Sequence, residues 1–440
     1  MWCGLLHRCN AKDEFLTVVI RQTRVVWFNT FNFPKTEVGS GKSGAPVQTL
    51  ENLEMKKTLV ALAALSAISA FAQSSVTVGG TFDVGYKSVS ADDATAKLGI
   101  ANTNGAGTSL IYFQGEEDLG GGMKASFKGQ NVFAALSPTA ANAAVPYQSG
   151  AFFNDEVWAG LSGGFGGVKI GAPTTAMHAT AGGVVQPFST SLGSGWESSG
   201  VARFGAGSSS KYGINTYPGA DQRIVRVEKS VRYDTPVFNG FAASYVWAGK
   251  NDNQTSTTGN KIAGNTAGYG ELGLTYTNGP LNLSYVASEV KVGANGIVGV
   301  PAAADAGGAL LSGTTSTVFP ANSSVKYTMF GGNYTIDKLT VYAGATTAKG
   351  DGTVITGLDT SSTNVAAKYQ VTPVISVAFN SLRVDDKKST NKDQKSDAFG
   401  VNYDLSKRTM LYARYVNYNT DETSTTKGVK VTAVGFKHTF

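Results

Sequence analysis

Residues 76–86 read VTVGGTFDVGY, and residues 429–440 read VKVTAVGFKHTF. In both stretches apolar or aromatic side chains recur at alternate positions and share one face: Val76, Val78, Phe82, Val84 and Tyr86 in the first, and Val434, Phe436, His438 and Phe440 in the second. Thr77, Thr81 and Asp83 take the opposite face of the first stretch. Alternation with a period of two predicts β-strands that are apolar on one side and wetted on the other.

Segments of this kind, each of about ten residues, recur from residue 73 to the last residue, without a convincing amphipathic helix or domain linker. The segments are joined alternately by short turns and long loops. The predicted short turns are 117–122, 162–167, 235–240, 277–280, 336–338, 371–374 and 404–407. The predicted long loops lie near 88–107, 134–150, 173–221, 250–266, 292–321, 350–360, 386–394 and 420–426. This rhythm predicts an all-β protein, a closed antiparallel transmembrane β-barrel of about sixteen strands.

Composition favours the same architecture over a helical membrane bundle. The chain has 54 Gly in 440 residues and 15% charged residues, and its mean hydropathy is −0.08. A soluble β-sandwich is the main alternative, because its strands also alternate. Aromatic residues near strand ends weigh against the sandwich, since such residues form girdles at membrane interfaces: Tyr86, Tyr285, Tyr403, Tyr415 and Phe440. The formal net charge of +6 is too small to indicate nucleic-acid binding.

A secretory signal peptide is predicted inside the chain, at residues 55–72. From Met55 the sequence reads MKKTLVALAALSAISAFAQSS, with a basic start, a short apolar run and an Ala-x-Ala cleavage site. Residues 1–54 are predicted to be an upstream, disordered extension that is not native to the protein. A genuine cytosolic extension is the alternative, although Cys3, His7 and Cys9 are too few for a zinc site. Residues 73–440 are predicted to form the barrel.

Six stretches, in order, resemble the trimeric general porins of Gram-negative bacteria, especially the betaproteobacterial type. These stretches are spread across most of residues 74–440. They read SSVTVGGTFDVGY (74–86), GEEDLGGGMKASF (115–127), GLSGGFGGVKIG (160–171), VRYDTPVFNGF (231–241), YDLSKRTMLYARY (403–415) and GFKHTF (435–440). The resemblance implies a homotrimer in the outer membrane and a third long loop that folds inward to narrow the lumen. It also implies that the barrel-assembly machinery reads Phe440 as part of an assembly signal.

The charges of the predicted pore follow from alternation and from the longest loop. We expect the pore wall to include Asp83, Lys128, Glu156, Lys169, Arg226, Arg232 and Arg414, together with Lys124, Glu228 and Lys437. The longest loop, 173–221, carries the predicted constriction residues Glu197, Arg203, Lys211 and Asp221. These charges either select ions or merely wet the wall. Similar porins commonly have basic residues where Leu110, Gln114 and Ala172 stand here, so at most a mild anion preference is expected.

The function predicted from these features is general diffusion of ions and small hydrophilic solutes through the outer membrane. A surface adhesin or receptor barrel, and a solute-specific channel, are the alternatives. No enzyme activity and no cofactor are predicted. Residues 160–164 match the letters of a Gly-x-Ser-x-Gly nucleophile motif, but that motif needs a following helix, and a Gly-rich turn and a strand are expected there.

Overall fold

A computed structural model provides the structure of the protein. It describes residues 75–91, 94–101, 105–133, 153, 155–195, 203–204, 220–221, 226–227, 229–249, 267–292, 297–298, 318–319, 324–351, 359–387, 393–420 and 428–440. All of them belong to one compact unit, Ser69–Phe440. The predicted extension 1–54 and the predicted signal peptide 55–72 lie outside the described residues.

The described chain consists almost entirely of β-strands. They are β1 (Ser75–Ala91), β2 (Ala94–Ala101), β3 (Leu110–Gly120), β4 (Met123–Val132), β5 (Val157–Gly163), β6 (Gly166–Ala172), β7 (Arg203–Phe204), β8 (Ala220–Asp221), β9 (Ser230–Asp234), β10 (Phe241–Ala248), β11 (Ala267–Asn278), β12 (Leu281–Val292), β13 (Ile297–Val298), β14 (Val318–Phe319), β15 (Ser324–Ile336), β16 (Leu339–Asp351), β17 (Asp359–Thr372), β18 (Ile375–Asp386), β19 (Gln394–Asp404), β20 (Thr409–Thr420) and β21 (Val429–Thr439). One short helix, α1 (Ala176–Gly183), lies between β6 and β7.

Sixteen of these strands close into an antiparallel barrel. Each pairs with two neighbours in the order β1, β3, β4, β5, β6, β9, β10, β11, β12, β15, β16, β17, β18, β19, β20 and β21, and β21 pairs with β1. Thr81 lies opposite Thr439 at this seam. The predicted closed barrel is therefore confirmed. Closure leaves no unpaired sheet edge among the barrel strands, which a bilayer requires because lipid cannot satisfy backbone N–H and C=O groups.

The two faces of the barrel follow the alternation in the sequence. Outward side chains such as Val76, Val78 and Tyr86 are more than half exposed, as expected of groups that contact lipid. The seven short turns lie where they were predicted and join neighbouring strands. The turn between β9 and β10 ends in Asn239 and Gly240 with φ angles of 48° and 85°, a left-handed conformation that these two residue types tolerate best.

Two connections differ from the prediction. The first long loop was expected at 88–107, but β1 continues to Ala91 and β2 returns along it as far as Ala101. The third long loop contains α1, although no helix was expected. Eight residues with Ala, Thr and Gly give a periodic pattern too short to stand out. Within the described residues, no helix is both long enough and apolar enough to span a membrane.

Candidate functional site: the lumen wall and the third long loop

The described first part of the third long loop, residues 173–195, lies inside the barrel, where a buried carboxylate holds the start of its helix. The Thr175 hydroxyl accepts a hydrogen bond from the N–H of His178 at 3.2 Å. The Glu271 carboxylate on β11 accepts from the N–H groups of Ala176 at 2.6 Å and Met177 at 3.1 Å. The first N–H groups of a helix lack intrahelical partners and favour negative charge. Glu271, only 1% exposed, therefore fixes α1 to the wall.

Asparagine side chains on three wall strands hold the part of the loop that follows α1, as far as Ser194. Their amide N–H groups donate to loop carbonyl oxygens: Asn333 to Val184 at 2.9 Å, Asn364 to Val185 at 2.6 Å, and Asn380 to Gly193 at 3.0 Å and Ser194 at 2.9 Å. The first two acceptors directly follow α1, where the last carbonyl groups of a helix need external donors. The wall therefore satisfies both ends of the helix.

Inward-facing glycines provide the space into which the loop packs. A Cβ on Gly344 would lie 2.9 Å from the Cβ of Val185, and a Cβ on Gly400 would lie 2.5 Å from a ring carbon of Phe188. Both distances are closer than carbon atoms can approach without rearrangement. Gly344 and Gly400 thus act as sockets for two apolar side chains of the loop.

Much of the inner wall beneath the loop is apolar. The loop and wall side chains form two buried clusters. The first contains Ala176, Met177, Ala181 and Val185 of the loop with Val227, Val246, Ala248, Tyr269, Val286, Val290, Val325, Tyr327, Met329, Ala348, Leu382 and Val384. The second contains Phe188 and Leu192 of the loop with Ala398, Val416, Tyr418, Val431 and Ala433. Burying this apolar area is worth roughly 25 cal/mol per Å². It keeps the loop on this side of the lumen, which we call the covered wall (β10–β20).

The opposite side of the lumen, β3–β9, which we call the open wall, carries most of the predicted pore charges. They form close ion pairs: Lys128 with Glu156 at 2.7 Å, Lys169 with Asp234 at 3.3 Å, Arg232 with Asp234 at 2.7 Å, and Arg226 with Asp155. Lys169 also lies 5.1 Å from the centre of the Trp158 ring. The structure thus brings together five of the ten predicted wall residues. A sixth, Lys124, pairs with Glu116 nearby.

Sequence reasoning predicted Glu156 but missed the other two acidic partners, Asp234 and Asp155. Asp234 lies two residues after Arg232 on β9 and therefore shares its inward face, so the period-two pattern could have found it. Asp155 precedes β5, and its pairing with Arg226 depends on the fold. Nothing in the strand pattern distinguishes Glu271 from other wall carboxylates, because its partners lie about 95 residues away on α1.

Three further predicted wall residues, Asp83, Arg414 and Lys437, lie close together near the barrel seam. Asp83 accepts hydrogen bonds from the N–H of Ala106 at 2.7 Å and from the hydroxyl of Tyr412. Arg414 points inward and is 5% exposed. The guanidinium group of Arg414 lies 5.1 Å from the centre of the Tyr412 ring, and its Nε donates to the Gly105 carbonyl at 2.8 Å.

The other predicted site residues are placed only in part. Glu197, Lys211 and Glu228 lie outside the described residues. Arg203 and Asp221 lie opposite one another in the β7–β8 pair. Phe440 is 40% exposed on the outer face. Its backbone exchanges two hydrogen bonds with Gly80, at 3.1 and 3.2 Å.

Comparison with known proteins identifies the family. The Gram-negative porin family matches residues 58–423. The chain is 31% identical to outer membrane porin protein 32 of Delftia acidovorans over 55% of this chain and 62% of that protein, so this match spans less than two thirds of the relative. It is 30% identical to an outer membrane porin of Bordetella pertussis over 88% of this chain and all of the relative.

The barrel is also similar to a solved structure, the anion-selective porin from Comamonas acidovorans. The TM-score is 0.62 at 23% identity, over 84% of this chain and all of that one. At this identity the likeness supports the fold alone. The family match covers most of the chain and includes both the open and the covered wall, so the chain belongs to the Gram-negative porin family and is an outer membrane porin.

Proposed function

We propose that the chain is a general diffusion porin that passes ions and small hydrophilic solutes without a chemical step. The observation that carries this proposal is the division of the lumen. The inward loop buries the apolar covered wall, so the surface left to the passage is the open wall with its ion pairs. A passage lined by paired, partly exposed charges admits polar solutes and has no strong preference among them.

We further propose a mild anion preference. The ion pairs of the open wall join five predicted cations to four carboxylates: Lys124, Lys128, Lys169, Arg226 and Arg232 against Glu116, Asp155, Glu156 and Asp234. A small excess of positive charge in a narrow aqueous passage raises the local anion concentration. The predicted constriction residues Glu197, Arg203, Lys211 and Asp221 contain two charges of each sign and leave this excess unchanged.

Reversal potentials across a planar bilayer under a KCl gradient test both proposals. Lys169→Gln should lower the anion preference and Asp234→Asn should raise it. The two side chains belong to one ion pair, and each is about one-third exposed. They serve as each other's control for local disturbance, because misfolding would not shift the potential in opposite directions. Two unchanged potentials would reject the open wall as the source of selectivity.

The same recordings separate the competing functions. Wild-type protein refolded from residue 73 should conduct with weak ion preference. If no conductance appears, an adhesin or receptor barrel becomes the better interpretation. If one solute saturates the current at low concentration, the protein is a solute-specific channel.

We propose that the porin is a homotrimer. One solved outer membrane protein of similar fold, from Vibrio cholerae, is described as a trimer form. On the outer face of β3–β6, small side chains leave an apolar groove of about 730 Å³, flanked by Phe127, Leu161 and Ile170. This groove could receive side chains of a neighbouring subunit. Conductance in steps of three, and a trimer band on unheated gels that collapses on boiling, would support this assembly, and single steps would contradict it.

We also propose that residues 55–72 are a signal peptide, that residues 1–54 are not part of the exported protein, and that the barrel-assembly machinery recognises Phe440. The outward ring of Phe440 is accessible for such recognition. Mass spectrometry of outer-membrane protein should give a chain that begins at Gln73. Phe440→Ala should reduce the amount of assembled barrel, whereas Phe379→Ala, another outward aromatic, should not.

A further inference from the structure

Along one edge, β1 pairs first with β3 and then with β2, and the stretch that joins these two strands is longer than the gap it spans. On one edge of β1, Thr81 pairs with Leu110 of β3, and Gly85 pairs with Ala101 of β2. Between these two pairs, β1 has three residues (82–84) and the neighbouring stretch of chain has eight (102–109), which is five more. An excess of this size cannot remain in the plane of the sheet, because a β-bulge normally accommodates one extra residue.

The described part of this connection, residues 105–109, lies on the inner wall, and we call it the inward segment. The N–H of Ala106 donates to the Asp83 carboxylate at 2.7 Å, and the Ala106 carbonyl accepts from Lys437 Nζ at 3.0 Å. The Ser109 hydroxyl accepts from the N–H of Asp83 at 3.0 Å. Asp83 and Lys437 both project into the lumen, so the inward segment lies inside the barrel.

Arg414 connects the inward segment to the third long loop. Its Nε donates to the Gly105 carbonyl at 2.8 Å. On its other side the guanidinium group lies 5.3 Å from the centre of the Phe188 ring, which belongs to the loop. A Cβ on Gly105 would lie 2.2 Å from a ring carbon of Tyr412, so only glycine permits this close approach to the wall.

We propose that the inward segment is a second constriction element of the pore, and that Arg414 is the positioning residue that joins it to the third long loop. The two elements then narrow the lumen as one unit and set the largest solute that passes. This inference rests on the proposed function as a diffusion channel. It assigns to the first long connection a part in size exclusion that the strand pattern did not indicate.

The contacts of Arg414 indicate that it acts by geometry rather than by attracting ions. Besides Gly105, it donates to the carbonyl oxygens of Val401 and Ala413 and to Asn402 Oδ1, at 2.7 to 3.1 Å. A guanidinium group offers five N–H donors in a fixed plane, whereas an ammonium group cannot reproduce that set of contacts. Lysine at this position would keep the charge and lose the connection.

Two substitutions separate these roles. In bilayers and in liposome-swelling assays with sugars of increasing size, Arg414→Gln and Arg414→Lys should both admit larger sugars than the wild type. The reversal potential of Arg414→Lys should be unchanged. If Arg414→Lys keeps the wild-type size limit while Arg414→Gln shifts the reversal potential, Arg414 acts as an ion-selecting charge and the inference is wrong.

Deleting residues 105–109 is the direct test. It removes five residues and leaves 102–104 to pair with 82–84 as a regular strand. Single-channel conductance should rise roughly 1.5- to 2-fold, because pore width limits conduction, and heat-modifiable gel mobility should report a folded barrel. Unchanged conductance in a folded deletion variant would overturn the inference but leave the proposed function intact. Absence of conductance in the wild type would contradict both the inference and the proposed function. If the deletion fails to fold, Lys437→Met, which removes a second anchor, provides the same readout.

Discussion

The covered wall and the open wall have the same strand pattern but opposite surroundings. Both alternate outward apolar residues with inward ones, and both belong to one continuous sheet. Inward side chains of the covered wall, such as Val246, Tyr327 and Leu382, are fully buried. Those of the open wall, such as Lys169 and Asp234, remain about one-third exposed. The difference shows that an inward side chain is not necessarily in contact with water. The third long loop covers the inward residues of one wall and leaves those of the other wall accessible to solvent.

The largest effect is expected from filling a socket on the covered wall. Gly344→Leu would collide with Val185 and displace the loop, so conductance should increase and become noisy, and the loop should become sensitive to protease in intact barrels. Ala345→Leu is the matched control, since Ala345 is exposed on the outer face of the same strand and an added side chain there extends into lipid. Equal conductance and equal protease sensitivity of the two variants would contradict the proposal that Gly344 makes room for Val185.

A smaller effect is expected from neutralising the carboxylate that holds α1. Glu271→Gln keeps the shape of the side chain but removes its charge from the helix N-terminus, which should destabilise the attachment of the loop by about 0.3–2 kcal/mol. Brief opening events should become more frequent in single-channel records. Glu289→Gln is the control, because Glu289 forms an outward pair with the largely exposed Lys291 and should change almost nothing. Identical records for the two variants would show that Glu271 does not hold the loop.

The smallest effects are expected from the asparagine contacts. Asn380→Ala removes two hydrogen bonds to the loop and Asn333→Ala removes one, and each bond contributes about 0.5–1.5 kcal/mol. Protease sensitivity of the loop should therefore rise more for Asn380→Ala than for Asn333→Ala. The reverse order would mean that the buried clusters, rather than these amides, determine how the loop is held.

The sequence was sufficient to predict the barrel but not to predict the contacts inside its lumen. The outward faces of β1 and β21 and the seven short turns follow from local rules, namely alternation with a period of two and the φ preferences of Gly, Asn and Asp. These rules operate within a few residues, so a single chain displays them fully. The inward direction of Arg414 also follows from them.

Contacts between distant parts of the chain lay beyond that reasoning. Asn364 and Val185 are 179 residues apart, and Arg414 and Gly105 are 309 apart. The pattern therefore predicted Lys169, Arg226 and Arg232 as inward charges without their partners. It also predicted 88–107 as a loop, where β2 and the inward segment occur. The sockets are formed by Gly residues and several contacts to the loop by Asn residues. Neither residue type marks an inward or an outward position in an alternating strand pattern.

The seam between β1 and β21 has a consequence for biogenesis. The hydrogen bonds between Gly80 and Phe440 join the beginning of the described chain to its last residue, and closing so long a stretch of chain is entropically costly and slow. Until the final strand has been delivered, the sheet has two free edges that lipid cannot satisfy. Pairing of β21 with β1 is thus a physical condition for stable insertion, because a barrel without β21 would keep two sheet edges that lipid cannot satisfy.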